Sequence, residues 1–237
     1  MSAPQLLRDA GLDAVIGMYP VVHRLRTTVV APWASAATGD PAVRAPRRVL
    51  VYGPTGCGVR FIAARLADEL AVHAGVGAVV LDALDDDAHH DASEVAALLD
   101  GPEARDVVLI GVSHRPWLLS TQFFDEGGFE RMAFVPPPDW DARRFRLWET
   151  PWGSRLDAGD LDQLVAATEG WAGSDLALLG GVGAASLPTM AELTAAVSAG
   201  ATDAGEWLAH ARDLVGSLHP YGRVDDLVGY MQRYRLL

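Results

Sequence analysis

The chain contains no lysine and no asparagine, and all 19 of its Lys/Arg residues are arginine. Any site built on a lysine amine is therefore excluded. Both missing residues have AT-rich codons, so their joint absence points to a GC-rich, bacterial coding background. Cysteine is nearly absent as well: Cys57 stands alone, which excludes an internal disulfide and fits a reducing compartment. Basic charge is in short supply, with 31 acidic residues giving a net charge of -12 and a pI near 4.9. That balance excludes a general affinity for nucleic acid or anionic membrane, because no clustered basic face offsets the repulsion, but it leaves local anion binding open. No apolar run approaches the ~20 residues that span a bilayer. The start, MSAPQLLRDAG, has neither a basic opening nor an unbroken apolar segment. The expectation is a cytoplasmic protein with no membrane and no nucleic-acid partner.

What is present is enough chain, 237 residues, for a large core. Leu12 to Val30 predicts a short helix around 20 to 30, ending at Ala31-Pro32. Arg48 to Tyr52 is apolar and β-branched, as a buried parallel strand should be. A glycine-rich turn follows, then a helix from about Val59 to Val72 with Phe61, Ile62, Leu66, Leu70 and Ala71 on one side. Val76 to Leu81 predicts a second buried strand, Ser93 to Leu99 a short helix, Asp106 to Val112 a third strand and Phe129 to Val135 a fourth, closed by Pro136-Pro137-Pro138. Beyond the prolines only helical patterns remain. Strands alternating with helices imply a parallel sheet with ligands at the carboxyl ends of its strands. The predicted organisation is an N-terminal linker over 1–45, an α/β domain over 46–138, and an all-helical lid with a C-terminal helical hairpin over 139–237.

The segment Gly53 to Arg60, GPTGCGVR, follows the first strand directly. A phosphate-binding loop reads G-x-x-x-x-G-K-[ST]; here the lysine position is Val59 and the hydroxyl position Arg60. Further fragments stand in a fixed order around it: IGM at Ile16 to Met18, VVLDALD at Val79 to Asp85, VVLIGVSHRPWLLS at Val107 to Ser120, GGFERMAFVPPPDWDAR at Gly127 to Arg143, and ATEGWAGSDL at Ala167 to Leu176. Together they resemble the AAA clade of ring ATPases over about residues 10 to 180, in a bacterial, actinobacterial-like form. The resemblance implies a parallel P-loop NTPase sheet followed by a helical lid, with ATP or ADP as cofactor. It implies nucleotide contacts from Ile16, Gly17, Gly53, Pro54, Thr55, Gly56, Cys57, Gly58, Val59, Arg60 and Gly173.

The chain keeps the scaffold residues of that family and departs at the chemical ones. In the family's loop, backbone N–H groups and a helix N-terminus hold the phosphates, lysine neutralises them, and a hydroxyl coordinates magnesium. Val59 removes a charge-assisted contact of about 1.5 to 3 kcal/mol. Arg60 cannot ligate magnesium; it could reach a phosphate, or pair with a carboxylate. In the acidic motif D-E-x-D the chain has Asp82-Ala83-Leu84-Asp85, so Asp82 could hold magnesium weakly, but Ala83 replaces the water-activating glutamate. Asp85, or Asp86 or Asp87 after a register shift, is the residual candidate for positioning water. The run Asp85 to Asp91 (DDDAHHD) reads as a solvated loop rather than a metal site. The sensor pair is Ser113-His114. In the family's GRFDR motif one arginine has become Gly128, while Arg131 could serve a neighbouring subunit's nucleotide or form a structural ion pair. One βα unit is also missing between the loop helix and the acidic strand. The lost strand is the family's edge strand if Val76 to Leu81 is the acidic strand, and the acidic strand itself under the rival alignment.

Three functions follow. A pseudo-ATPase would scaffold or regulate by packing against itself or an active AAA relative, binding nucleotide weakly or without magnesium. A slow, divergent ATPase would use Arg60 in place of lysine. A nucleotide-free interaction module would dock a partner through its lid or its C-terminal hairpin.

Overall fold

Strand β1 (Arg48–Tyr52) lies at the centre of the protein, and its side chains alternate between two cores. Val49 and Val51 enter one apolar cluster and Leu50 and Tyr52 the other, all four without solvent exposure. The period of two that makes a strand thus feeds both faces of the sheet. The coordinates are a computed structural model, which describes residues 11–39, 44–85, 97, 106–125, 127–182, 188–199, 204–218 and 223–235.

In chain order the main elements are helix α1 (Tyr19–Leu25), a π-helical turn (Arg26–Val30), α2 (Ala31–Ala37), β1, α3 (Val59–Ala74), β2 (Gly77–Leu81), β3 (Val107–Ser113) and β4 (Arg131–Phe134). Then come α4 (Trp140–Trp148), α5 (Ala158–Ala167), α6 (Gly173–Gly180), α7 (Met190–Ala199), α8 (Ala204–Leu218) and α9 (Asp225–Arg233). The four strands are parallel in the order β2-β3-β1-β4, with Val49 opposite Ile110 on one side and Arg131 on the other. This is the expected parallel sheet with a helical lid behind it. The helix expected over Ser93 to Leu99 lies outside the described residues apart from Ala97.

Several expectations need correction. The first helix does not stop at Pro32: the π-helical turn precedes it, with Ala31 N–H bonded to the Arg26 carbonyl, and Pro32 begins α2 where an amide donor is dispensable. Residues 11–37 do not behave as a linker either. Leu12, Val22, Leu25, Val29 and Trp33 pack with Ile62 and Leu66 of α3 over one face of the sheet. Glu69, buried on α3, accepts from the Leu12 amide at 2.8 Å and from Arg26 Nε at 2.7 Å. Gly11 is needed there, because its φ is +75° and a Cβ would collide with the Glu69 carboxylate. The Glu69 hydrogen bond also raises the Arg26 pKa.

Along α3 the buried apolar positions are Val59, Ile62, Ala63, Leu66 and Leu70, so the face is centred one residue on from Phe61. Phe61 is exposed and has the Arg65 guanidinium over its ring. Strand β2, expected to be buried, is a half-open edge: Val79 and Val80 are 41% and 39% exposed. It pairs only with β3 among the described residues, so its outer side has no sheet neighbour.

The lid has its own core, in which Leu147 and Trp152 meet Leu161, Leu164 and Val165 of α5, Leu176 of α6 and Leu193 of α7. Asp139 and Asp157 cap α4 and α5 by accepting from the Ala142 and Asp160 amides. Arg143, buried on α4, donates to the Pro138 and Val165 carbonyls and so fixes α4 to α5 and to the chain entering the lid. Burial lowers its pKa.

The C-terminal helices do not extend this lid. Trp207, Leu208, Ala211 and Leu214 of α8, with Leu227, Val228 and Met231 of α9, cover Leu50, Tyr52, Leu109 and Phe134 on the second face of the sheet. Their fixing point is Asp226. Its carboxylate accepts from the Phe134 amide on edge strand β4 at 2.7 Å and lies 3.4 Å from Arg24 Nε of α1. One side chain therefore links the first helix, the sheet edge and the last helix.

Burial raises the Asp226 pKa above its ordinary 3.8, outweighing the lowering effects of Arg24 and of the amide bonds. A carboxyl with a raised folded-state pKa contributes stability that is full below the unfolded value and lost as pH rises through the folded one. Asp226→Asn should therefore lose less unfolding free energy than wild type between pH 3.8 and neutrality. Urea unfolding of both proteins across that range measures this, and parallel profiles would refute it.

Candidate functional site

The glycine loop sits at the carboxyl ends of the central strands. Gly53 N–H donates to the Ser113 carbonyl at 3.2 Å, while the His114 ring Nδ1 lies 3.2 Å from the Gly53 carbonyl. Three glycines are required by geometry. A Cβ on Gly53 would strike the Val135 carbonyl, and one on Gly56 (φ +81°) would strike the Ser174 hydroxyl. Gly58, at φ +90°, occupies the N-cap of α3. The lid closes one side of this loop: Ser174 N–H donates to the Gly56 carbonyl at 3.2 Å, and Gly173 approaches the same oxygen. Pro54 and Cys57 are buried and Thr55 is exposed. Met18, Cys57, Val59 and Ala172 belong to one apolar cluster, which draws on the IGM segment, the loop and the lid. There Ile16 is 38% exposed, and Gly17 packs against Asp139, which also accepts from the Met18 amide at 2.6 Å.

The two altered positions have opposite fates. Val59 is buried in the core, at 1% exposure. Arg60 turns outward along α3, and its Nε lies 2.5 Å from Oδ2 of Asp82, just past the end of β2. Of the two sequence alternatives for Arg60, the structure shows the carboxylate pair. The residue at the hydroxyl position thus meets the carboxylate at the acidic-motif position directly. That contact also favours β2 as the acidic strand over the rival alignment. Asp82 accepts the Ala83 amide as well, at 2.9 Å, and Ala83 adopts a left-handed φ of +52°. A magnesium ion does not fit this arrangement, since a guanidinium holds the carboxylate that would ligate it and Arg60 stands at the hydroxyl position. A phosphate fits better, because the first amides of α3 have no intrahelical acceptor and the loop glycines leave Gly58 open.

Asp85 is buried and committed: its carboxylate accepts from the His114 amide at 3.1 Å and from Arg115 Nε at 3.3 Å. It therefore holds the turn after β3 rather than facing the loop as a free base. The His114 carbonyl in turn accepts from Trp207 Nε1 of α8 at 2.5 Å, so the C-terminal helices brace this turn. That link was not readable from the sequence, where Trp207 carried no motif. Asp86 to Asp91 lie outside the described residues, and no cluster able to hold a metal occurs among the described ones. Arg131 begins β4 and is therefore at the opposite end of the sheet from the loop. Within one chain the structure does not bring the two together.

A parallel sheet, a glycine loop opening a helix and a helical lid define a P-loop type of α/β protein. No family model matches the chain. It is 30% identical over 192 residues to the ATP-dependent zinc metalloprotease FtsH of Methylibium petroleiphilum, covering 60% of this chain and 31% of that one. The chain spans about a third or less of the length of the first curated relatives it matches. Among solved structures it is similar to the FIGL-1 AAA domain, with a TM-score of 0.65 at 16% identity over 85% of this chain and 88% of that one. A structure concerned with katanin self-assembly matches with a TM-score of 0.58 at 20% identity, over 84% and 90%. The chain is homologous to AAA ATPases and has the AAA fold.

The Cys57 thiol, inside the loop, is pushed up to about 12 by burial and, secondarily, by the charge of Asp175. The reactive thiolate is therefore suppressed at ordinary pH. A disulfide-exchange reagent at pH 8 should leave native Cys57 unmodified and label it fully in denaturant, as read by mass spectrometry. Rapid native labelling would mean that the loop opens freely.

Proposed function

We propose that the protein is a pseudo-ATPase, an AAA-fold subunit that binds ATP or ADP weakly and without magnesium and does not hydrolyse it. Its role in this reading is scaffolding or regulation through contact with copies of itself or with an active AAA relative. The observation that carries the proposal is the Arg60–Asp82 ion pair at 2.5 Å. A hydroxyl and a carboxylate at these positions would flank magnesium; here a cation satisfies the carboxylate and would repel a second one. Ala83 supplies no base, and Val59 is turned into the core. The three loop glycines and the lid contact to Gly56 still offer phosphates a backbone cradle, which supports residual nucleotide affinity.

The slow-ATPase reading is less well supported, because Asp85 is occupied by His114 and Arg115. The interaction-module reading loses its C-terminal hairpin, whose apolar side chains cover the sheet, and keeps the outer surface of the lid. Assembly with like subunits is favoured by the AAA relatives, of which katanin has a structure concerned with self-assembly. A cytoplasmic location agrees with the composition, and no described helix is long and apolar enough to cross a membrane.

Purified protein with magnesium and ATP should release phosphate no faster than buffer. Binding of a fluorescent ATP analogue should be unchanged by EDTA. The combined variant Val59→Lys, Arg60→Thr and Ala83→Glu should make that binding magnesium-dependent. Magnesium-dependent turnover by the wild type, abolished in Asp82→Ala, would sink the proposal.

A further inference from the structure

At the amino ends of the strands, opposite the glycine loop, lies a cleft of about 530 Å³ lined by Arg44, Arg48, Arg131 and Arg223 together with Asp125 and Glu130. The four arginines come from separate places in the chain: the segment before β1, the first residues of β1 and β4, and the segment before α9. Their convergence is unexpected in a chain of net charge -12. Four arginines share this lining with two carboxylates, a formal excess of two positive charges. Glu130 accepts from the Arg47 and Arg48 amides and lies 3.7 Å from Arg44.

Arg131 and Arg223 are held by neutral groups. Arg131 donates to the Glu130 carbonyl at 2.8 Å and Arg223 to the Phe124 carbonyl, contacts that orient a guanidinium without cancelling its charge. Arg48 Nε is buried and has no hydrogen-bond partner, an unsatisfied donor at the cleft. We infer that this cleft is a second anion site, independent of the glycine loop and of magnesium, which takes a small polyphosphate. Several forked cations converging from different directions need an anion with many charged oxygens, which a diphosphate offers and a single carboxylate does not. The volume is in the range of small-ligand pockets.

Calorimetric titration of the full chain with inorganic pyrophosphate, in EDTA and low salt, tests the inference. Saturable binding is expected, weakened about tenfold or more by Arg44→Gln or by Arg131→Gln, as loss of one charge-assisted contact implies. Arg155→Gln, a charge-matched change on the lid surface, should leave the affinity within about twofold. ATP binding as tightly as pyrophosphate would mean that the phosphates alone are read, and tighter binding that the nucleoside adds a contact; either supports the site if the same two variants weaken it. The inference is overturned by absence of saturable binding, by equal loss in Arg155→Gln, or by affinity that survives both cleft variants. Preference for a glutamate-rich peptide over pyrophosphate would also overturn it. Because loop and cleft lie at opposite ends of the sheet, these outcomes do not depend on whether the pseudo-ATPase reading holds.

Discussion

The structure depends on burying strand β1 on both faces. A strand whose Val49 and Val51 point one way and Leu50 and Tyr52 the other cannot be covered by a single layer of helices. The helix α3 that follows the glycine loop covers only part of one face, so the rest must come from elsewhere in the chain. The N-terminal helices complete the first face and the C-terminal pair supplies the second. The two ends of the chain are consequently joined across the sheet edge through Arg24, Asp226 and the Phe134 amide. That edge donor would otherwise lie open to a foreign strand.

The same scaffold accounts for why the glycine loop keeps its turn although the lysine and hydroxyl positions hold Val59 and Arg60. Gly53 must pass the Val135 carbonyl and Gly56 must pass Ser174, whether or not a phosphate is present. Neither requirement involves the lysine or hydroxyl positions, where Val59 joins the core and Arg60 the surface. The turn and the lysine and hydroxyl positions therefore involve different residues of one eight-residue segment, and the latter can change without disturbing the former.

Local patterns were legible in the sequence, and contacts over long separations were not. Strand β1 and α3 were readable because β-branched runs and the 3.6-residue period are local signals. The lid helices were readable for the same reason. The packing of α8 and α9 on the sheet was not, since an amphipathic helix shows that it has an apolar face but not what covers it. Strand β2 looked buried because Val79, Val80 and Leu81 are apolar; its exposure comes from its edge position, which is a property of strand order. Arg60 presented a choice between phosphate and carboxylate that only the position of Asp82 could resolve. The arginine cleft joins residues from 44 to 223, a separation at which sequence carries no pairing signal.

An arginine-only chain makes the contrast between the two ends of the sheet informative. At the carboxyl ends two exposed arginines each have a carboxylate: Arg60 has Asp82, and Arg115 has Asp85. A guanidinium stays charged and forks well onto a carboxylate, so such a pair is satisfied without a metal or ligand. At the amino ends Arg131 and Arg223 instead meet carbonyls, which leave the positive charge in place. Arg60 and Arg115 are thus paired one to one with carboxylates at the carboxyl ends, while at the amino ends four arginines share two carboxylates. A charge pattern of that kind separates a site that has closed on itself from one that is still electrostatically open to an anion.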